Sequence, residues 1–315
     1  IATFISSLST KCPALMYANT SIFLPLLNST NYSVRNAVIT SLGQLCIACA
    51  RGTTSLAGNG SARDTFLDLL QERIFDVTAF TRSRCLKVWS ALCEEKAIPV
   101  QRVLVVTNLA IGRTSDKSAI VRKSAMRLLQ CLVSRGPFGH DLSMGACVKR
   151  HAKAKDDLRI LEIAEAEEAE RALNGVAPSE DRLESSAARR AKIKVVEFYD
   201  SIVQFITMLE SCVPRLCRLL HSKSASDVTG ALHLVAAMHE ARLQRADVAA
   251  QRMLELVWST KQEFRTAMID TFHTMHIDGI PPAIAASRMI LAAIEASPGA
   301  LASLTAVVGA LQKDQ

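Results

Sequence analysis

The apolar positions of this chain recur at helical spacing. Val34, Ala37, Val38, Leu42, Leu45, Cys46 and Cys49 fall on one face of a 3.6-residue period. Cys85, Val88, Trp89 and Leu92 do the same, as do Val121, Ala125, Leu128, Leu129 and Leu132. A second apolar segment precedes each of these runs, at about 21–27, 61–74 and 99–111. Ser61-Ala62-Arg63-Asp64 has the form of a capping box, and Pro99 suits a first helical turn. The pattern predicts paired helices and no strands.

The pairs repeat. Asn31-Tyr32-Ser33-Val34-Arg35-Asn36-Ala37-Val38 sets a turn residue, then apolar, Arg, polar, small, apolar. Asp76 to Val88 repeats it around Arg82, and Asp116 to Leu129 around Arg122, so the arginines stand 47 and 40 residues apart. Val228-Thr229-Gly230-Ala231 and Phe264-Arg265-Thr266-Ala267 resemble the same element, 36 residues apart. That period is the one of HEAT-type repeats. One helix pair cannot bury its apolar faces alone, whereas stacked pairs make a continuous core. The expected fold is therefore an all-α HEAT-repeat solenoid with a charged helical insertion.

The rhythm breaks at residues 149–194. A basic cluster (Lys149, Arg150, Lys153, Lys155) leads into an Ala/Glu run with Glu162, Glu165, Glu167, Glu168 and Glu170. Asn174 to Ser179 is a breaker, and Arg189, Arg190, Lys192 and Lys194 are basic again. This reads as two solvated helical pieces around a loop. From Val195 the apolar pattern resumes through Ile206, Leu209, Val213, Leu216 and Leu219. The expected organisation is basic HEAT repeats over 1–148, the charged insertion over 149–194, and the same solenoid continuing over 195–315.

Composition narrows the class. Apolar residues are 49% of the 315, charged residues 21% and aromatics 5%. That is too apolar for a disordered chain, and the shortage of aromatics and glycine speaks against a β-sandwich. No run of 18 apolar residues occurs. The chain opens without methionine or a secretory signal and reads as a piece of a longer polypeptide. Nine cysteines, mostly on apolar stripes, fit reduced and buried thiols in the cytosol or nucleus. The net charge of +7 is uneven: +8 over 1–148, +1 over 149–194 and −2 over 195–315. The first half is the one to meet an acidic partner.

Candidate chemistry is sparse. Cys46-Ile47-Ala48-Cys49 has zinc-like spacing but no second pair, so buried structural cysteines are the better reading. His273 and His276 could offer two metal ligands, and Cys147 with His151 could form a thiolate–imidazole pair, but neither has the further residues such sites need. Gly58-Asn59-Gly60 follows no predicted strand and is not a phosphate loop. Four N-x-[ST] triplets, at Asn19, Asn28, Asn31 and Asn59, lack a secretory context. No catalytic residue, metal site or cofactor site is therefore assigned, and the chain is read as non-catalytic.

The basic residues carry more. Arg35, Arg82 and Arg122 hold one repeat position, and the plainer reading is structural, each bonding Asn31, Asp76 or Asp116 in a repeat turn. Arg84, Lys87, Arg113, Lys117, Lys123 and Arg127 cluster on two adjacent repeats, with Asp116 the one acid between Arg113 and Arg127. They could form a stripe that meets duplex DNA through its phosphates, without base readout. So few aromatics make stacking on single strands a poor alternative.

The wording of the repeats resembles the condensin complex subunit 1 family. The resemblance lies in Tyr32-Ser33-Val34-Arg35-Asn36-Ala37-Val38, Arg63 to Arg73, Asp76 to Arg84, Glu95 to Pro99, Asn108 to Arg113 and Asp116 to Ser118. Phe205 to Glu210 and Leu219 to Val228 continue it beyond the insertion. It is most specific between residues 31 and 135, and it departs at Thr229, which replaces the repeat arginine. The resemblance implies a HEAT scaffold that grips the kleisin subunit and an SMC ATPase head, touches double-stranded DNA and helps condense mitotic chromosomes. It also implies a hetero-oligomer in the nucleus and on mitotic chromosomes, alongside a cytoplasmic pool, with ATP hydrolysis left to the SMC partners. The competing reading is a HEAT-type transport or assembly adaptor that binds peptide segments in its concave face.

Overall fold

The computed structural model describes residues 1–52, 60–173 and 182–312. Among them there are helices and turns and no strand. In chain order the helices are α1 (Ala2–Lys11), α2 (Pro13–Ala18), α3 (Thr20–Phe23), α4 (Tyr32–Ala50), α5 (Gly60–Arg73), α6 (Ala79–Glu94), α7 (Val100–Arg113) and α8 (Ala119–Arg135). Then come α9 (Met144–Leu173), α10 (Arg182–Leu220), α11 (Ala225–Glu240), α12 (Ala246–Leu254), α13 (Gln262–His276), α14 (Pro282–Glu295) and α15 (Pro298–Leu311). Short 3₁₀ turns, Leu24–Asn28 and Glu255–Trp258, follow α3 and α12.

The architecture is an α-solenoid, as the repeat predicts. Helices α4, α6, α8, α11 and α13 pack in succession as one layer. A second layer covers them: α5 lies on α4 and α6, α7 on α8, and α10 and α12 on α11. One core runs through the stack, from Leu42 and Leu45 through Trp89, Leu128 and Val235 to Phe272. Each such side chain contributes about 1.5–3 kcal/mol when fully buried.

Local chemistry explains the helix starts. Asn31 caps α4, its side chain accepting from the Ser33 N–H at 2.8 Å. Pro99 stands at the N-cap of α7, one position before the first turn, in extended backbone. Ser61 lies inside α5, where its carbonyl accepts from the Thr65 hydroxyl, so Ser61-Ala62-Arg63-Asp64 does not form the expected capping box. Tight packing between α4 and α6 needs a glycine. A Cβ on Gly43 of α4 would stand 2.4 Å from Val88 Cγ1 of α6.

Helix α9 and the first half of α10 run as a pair, with Arg189 on Glu162 at 3.3 Å and Lys192 Nζ donating to the Asp157 carbonyl at 2.7 Å. At about 1.5 Å rise per residue, the 30 residues of α9 span about 45 Å. The second half of α10 enters the solenoid, burying Phe205, Ile206, Leu209, Val213 and Leu216. Residue 194, the expected end of the insertion, thus falls inside one continuous helix. Gly58, Asn59 and the breaker from Asn174 to Ser179 lie outside the described residues.

Candidate functional site: a basic face on stacked helices

The repeat arginines form a ladder. Arg35 of α4 donates to both Asp76 oxygens at 3.0 and 2.9 Å, and to the Thr78 hydroxyl at 2.9 Å. Arg82 of α6 does the same to Asp116 at 2.8 and 2.9 Å. Arg122 of α8 reaches past the insertion to Asp227 of α11 at 3.0 and 2.6 Å. Each arginine also donates to carbonyls of its own turn: Ser29 and Thr30, Asp76 and Val77, Asp116 and Lys117. Each guanidinium therefore ties its own turn to the next repeat. Asp76 and Asp116 also accept from the Thr78 and Ser118 N–H groups and so hold the starts of α6 and α8.

Two partners differ from the sequence expectation. Asn31 caps its own helix, and the acceptor for Arg122 is Asp227, which lies 105 residues away in sequence. Ser222, five residues before Asp227, donates to the same carboxylate at 2.9 Å. Burial alone would raise the Asp116 pKa. Hydrogen bonds from Arg82, the Ser118 N–H and Arg113 overcome it and hold the group at about 2.

The six surplus cations fall into two groups. Arg84 and Lys87 stand exposed on α6, and Lys123 and Arg127 exposed on α8, the helix packed beside it. Phe80, Arg84 and Lys87 follow one outward line at i, i+4, i+7, and Ile120, Lys123 and Arg127 follow another at i, i+3, i+7. Arg127 makes an exposed pair with Glu94 at 3.2 Å. His233 of α11 joins this face: partial burial first, then the charges of Arg127 and Lys123, lower its pKa. Arg113 and Lys117 lie instead at the α7–α8 turn. Arg113 is engaged there with Asp116 at 3.2 Å and sits 4.7 Å over the Phe75 ring. Lys117 is exposed.

Sequence reasoning missed an apolar edge beside these cations. Tyr32 stacks on Phe80 with ring centroids 5.4 Å apart, Phe75 lies under Arg113, and Val77 is 91% exposed. Its signal was present as large apolar residues at turn positions and first helical turns, where the core cannot reach them.

The other candidates resolve into packing. Cys46 is buried on α4 and its thiol is pushed up to about 12, chiefly by burial. The Cys147 thiol points to the Asp141 carbonyl and not to His151, whose Nε2 lies 2.9 Å from an Asp200 carboxylate oxygen. His276 is buried against Phe272 and His239. Among the described residues there is no group of three or more His, Cys, Asp or Glu side chains able to hold a metal. None of the described helices is long and apolar enough to cross a membrane.

The fold and its arginine ladder define a HEAT-repeat solenoid, and a HEAT-repeat family model matches residues 20–49. Full-length comparison is more specific and bears out the resemblance to condensin complex subunit 1. The chain is 27% identical to the condensin-1 complex subunit CAP-D2 of Arabidopsis thaliana over 99% of its own length and 25% of that protein. It is 37% identical to condensin complex subunit 1 of Xenopus laevis over 45% of the chain and 10% of that protein. The Saccharomyces cerevisiae subunit is 21% identical over 82% of the chain and 25% of the yeast protein. The chain thus spans at most about a quarter of the curated relatives it matches. A crystal structure of an engineered protein overlays 94% of the chain with a TM-score of 0.41 and 12% identity, too loose a likeness to add to the fold described above.

Proposed function

We propose that this chain is a HEAT scaffold segment of a condensin subunit 1, non-catalytic itself, acting in chromosome condensation within a hetero-oligomer of kleisin and SMC ATPase subunits. Its place of action is the nucleus and the mitotic chromosome. The observation that carries the reading is the similarity to condensin subunit 1 along 99% of the chain. In this reading the outward faces of α6 and α8 meet duplex DNA through phosphate contacts. Arg84, Lys87, Lys123 and Arg127 form the centre of that contact, with Arg113 and Lys117 at its turn edge. The Tyr32–Phe75–Val77–Phe80 edge receives a protein partner, either the kleisin or an SMC head. Residues 149–194 act as an inserted arm between two parts of one solenoid.

A quadruple charge reversal tests the DNA contact. Replacing Arg84, Lys87, Lys123 and Arg127 with Glu should leave the helical fold intact, because all four side chains are exposed. Duplex affinity should fall, and the slope of log affinity against log salt should become shallower by roughly three to four. An unchanged affinity and slope, measured by fluorescence anisotropy, would remove the patch. The complex is tested by purifying the tagged parent protein from dividing cells. Two SMC ATPases and a kleisin in stoichiometric yield support the reading; transport receptors without SMC protein support the adaptor instead.

A further inference from the structure

A cavity of about 880 Å³ opens between the end of α11 and helices α12, α13 and α14. This volume is in the range of ligand pockets. Its floor is apolar, formed by the buried side chains of Leu243, Met253, Phe272, Met275 and Leu304. His276 lines it and is only 6% exposed, yet its Nδ1 has no hydrogen-bond partner among the described residues. Nδ1 is itself fully enclosed, with the ring packed against Phe272 and His239, so His276 contributes a buried ring to the wall and not an open acceptor. Burial first, then His239 and Arg288, hold the His276 pKa down to about 4. The ring is therefore neutral at pH 7 and adds no positive charge to the cavity.

The rim has a different character. Glu240, Asp247, Asp278 and Glu295 face Arg242 and Arg288 around the mouth, an excess of two negative charges. Helix α14 forms one wall and is itself poorly covered: Ala285 is its one buried residue, and Ile290, Leu291 and Ile294 are exposed. A floor of Phe272 and two methionines under an acidic rim selects a ligand with an aromatic body and basic flanks. A nucleic-acid backbone has the wrong charge for this rim.

We propose that this cavity receives a tyrosine or tryptophan side chain from a basic peptide segment of a protein partner. The ring fills the apolar floor against Phe272, Met253 and Met275, and its O–H or N–H stays at the wet mouth. Flanking Lys and Arg residues meet Asp247 and Glu295, with their aliphatic stems over Leu291 and Ile294. This site is separate from the basic face on α6 and α8 and does not depend on what that face binds.

The probe is a fluorescein-labelled nonapeptide with a central Trp between Lys/Arg flanks, titrated with the full chain by fluorescence anisotropy. Saturable binding is expected. Replacing the Trp with Ala, or the basic flanks with Glu, should weaken it at least about tenfold. In the protein, Ala292→Phe fills the cavity from the α14 wall and should abolish binding. Asp247→Lys with Glu295→Lys, both exposed positions, should weaken the basic peptide and favour the Glu-flanked one. Circular dichroism melts confirm that each variant is folded. The Arg84/Lys87/Lys123/Arg127 reversal should leave peptide binding unchanged, which separates failure here from failure of the DNA reading. No saturable binding, or equal binding by wild type and both cavity variants, overturns the proposal. So does self-association in sedimentation that Ala292→Phe abolishes, since the occupant would then be a second copy of this chain.

Discussion

Arg122 and Asp227 meet across 105 residues of chain, and the carboxylate side chain is 1% exposed. Removing the guanidinium leaves a buried, unpaired negative charge. Arg122→Ala should therefore cost about 3 kcal/mol, the lower end of the range for breaking a buried pair, because Arg122 retains some solvent access. The Arg122→Ala/Asp227→Ala double variant should lose less than the sum of the two single variants, a coupling readable from urea unfolding. Asp116 adds a pH dependence of known sign. Its folded pKa of about 2 lies below the ordinary 3.8. Its contribution is complete above pH 4 and is lost as pH falls toward 2. Acid titration of unfolding free energy should show a shallower decline between pH 4 and pH 2 in Asp116→Asn than in the wild type.

Helices pack here through close approaches whose tolerance depends on the neighbour. Gly43 of α4 faces Val88, a β-branched side chain with few rotamers to yield. Gly43→Ala should destabilise by about 1–3 kcal/mol through overpacking. Gly230 of α11 faces Met126, whose terminal methyl lies 2.7 Å from where a Cβ would stand but ends a flexible side chain. Gly230→Ala should be neutral or stabilising by up to about 1 kcal/mol, because alanine is the better helix former. Thermal melts should show a lowered midpoint for Gly43→Ala and an unchanged or raised one for Gly230→Ala. The helices themselves were legible in the sequence, since amphipathic spacing is a local property. Their ends were less so: Ser61 reads as a cap but lies inside α5, and Pro99 sits one position before the helix it was expected to enter.

The whole molecule is a stack in which α8 and α11 are neighbours although α9 and α10 intervene. The arm should then be dispensable for folding. Replacing residues 158–189 with a short Gly/Ser linker is feasible because Lys192 already touches the Asp157 carbonyl. The shortened protein should unfold cooperatively with a melting temperature within a few degrees of the wild type. Non-cooperative unfolding would show that the arm supports the stack. The basic face belongs to this scale as well. Its six cations were legible in the sequence as a cluster. Their division into an outward face and a turn edge depends on which side of α6 and α8 is covered by neighbours.

Periodicity, repeat length and the wording of the repeat turns settled the helical class, the solenoid and the likeness to condensin subunit 1. Each of these is written in residues a few positions apart, or in a motif that recurs. The pairing of Arg122 with Asp227, the engagement of Arg113 by Asp116 and Phe75, and the cavity around His276 were decided only by the tertiary structure. They join residues on helices that the sequence does not align, and the alignment comes from burying apolar faces across the stack. A charge or a ring nitrogen has no fixed role until that packing determines which groups surround it and how far water is excluded.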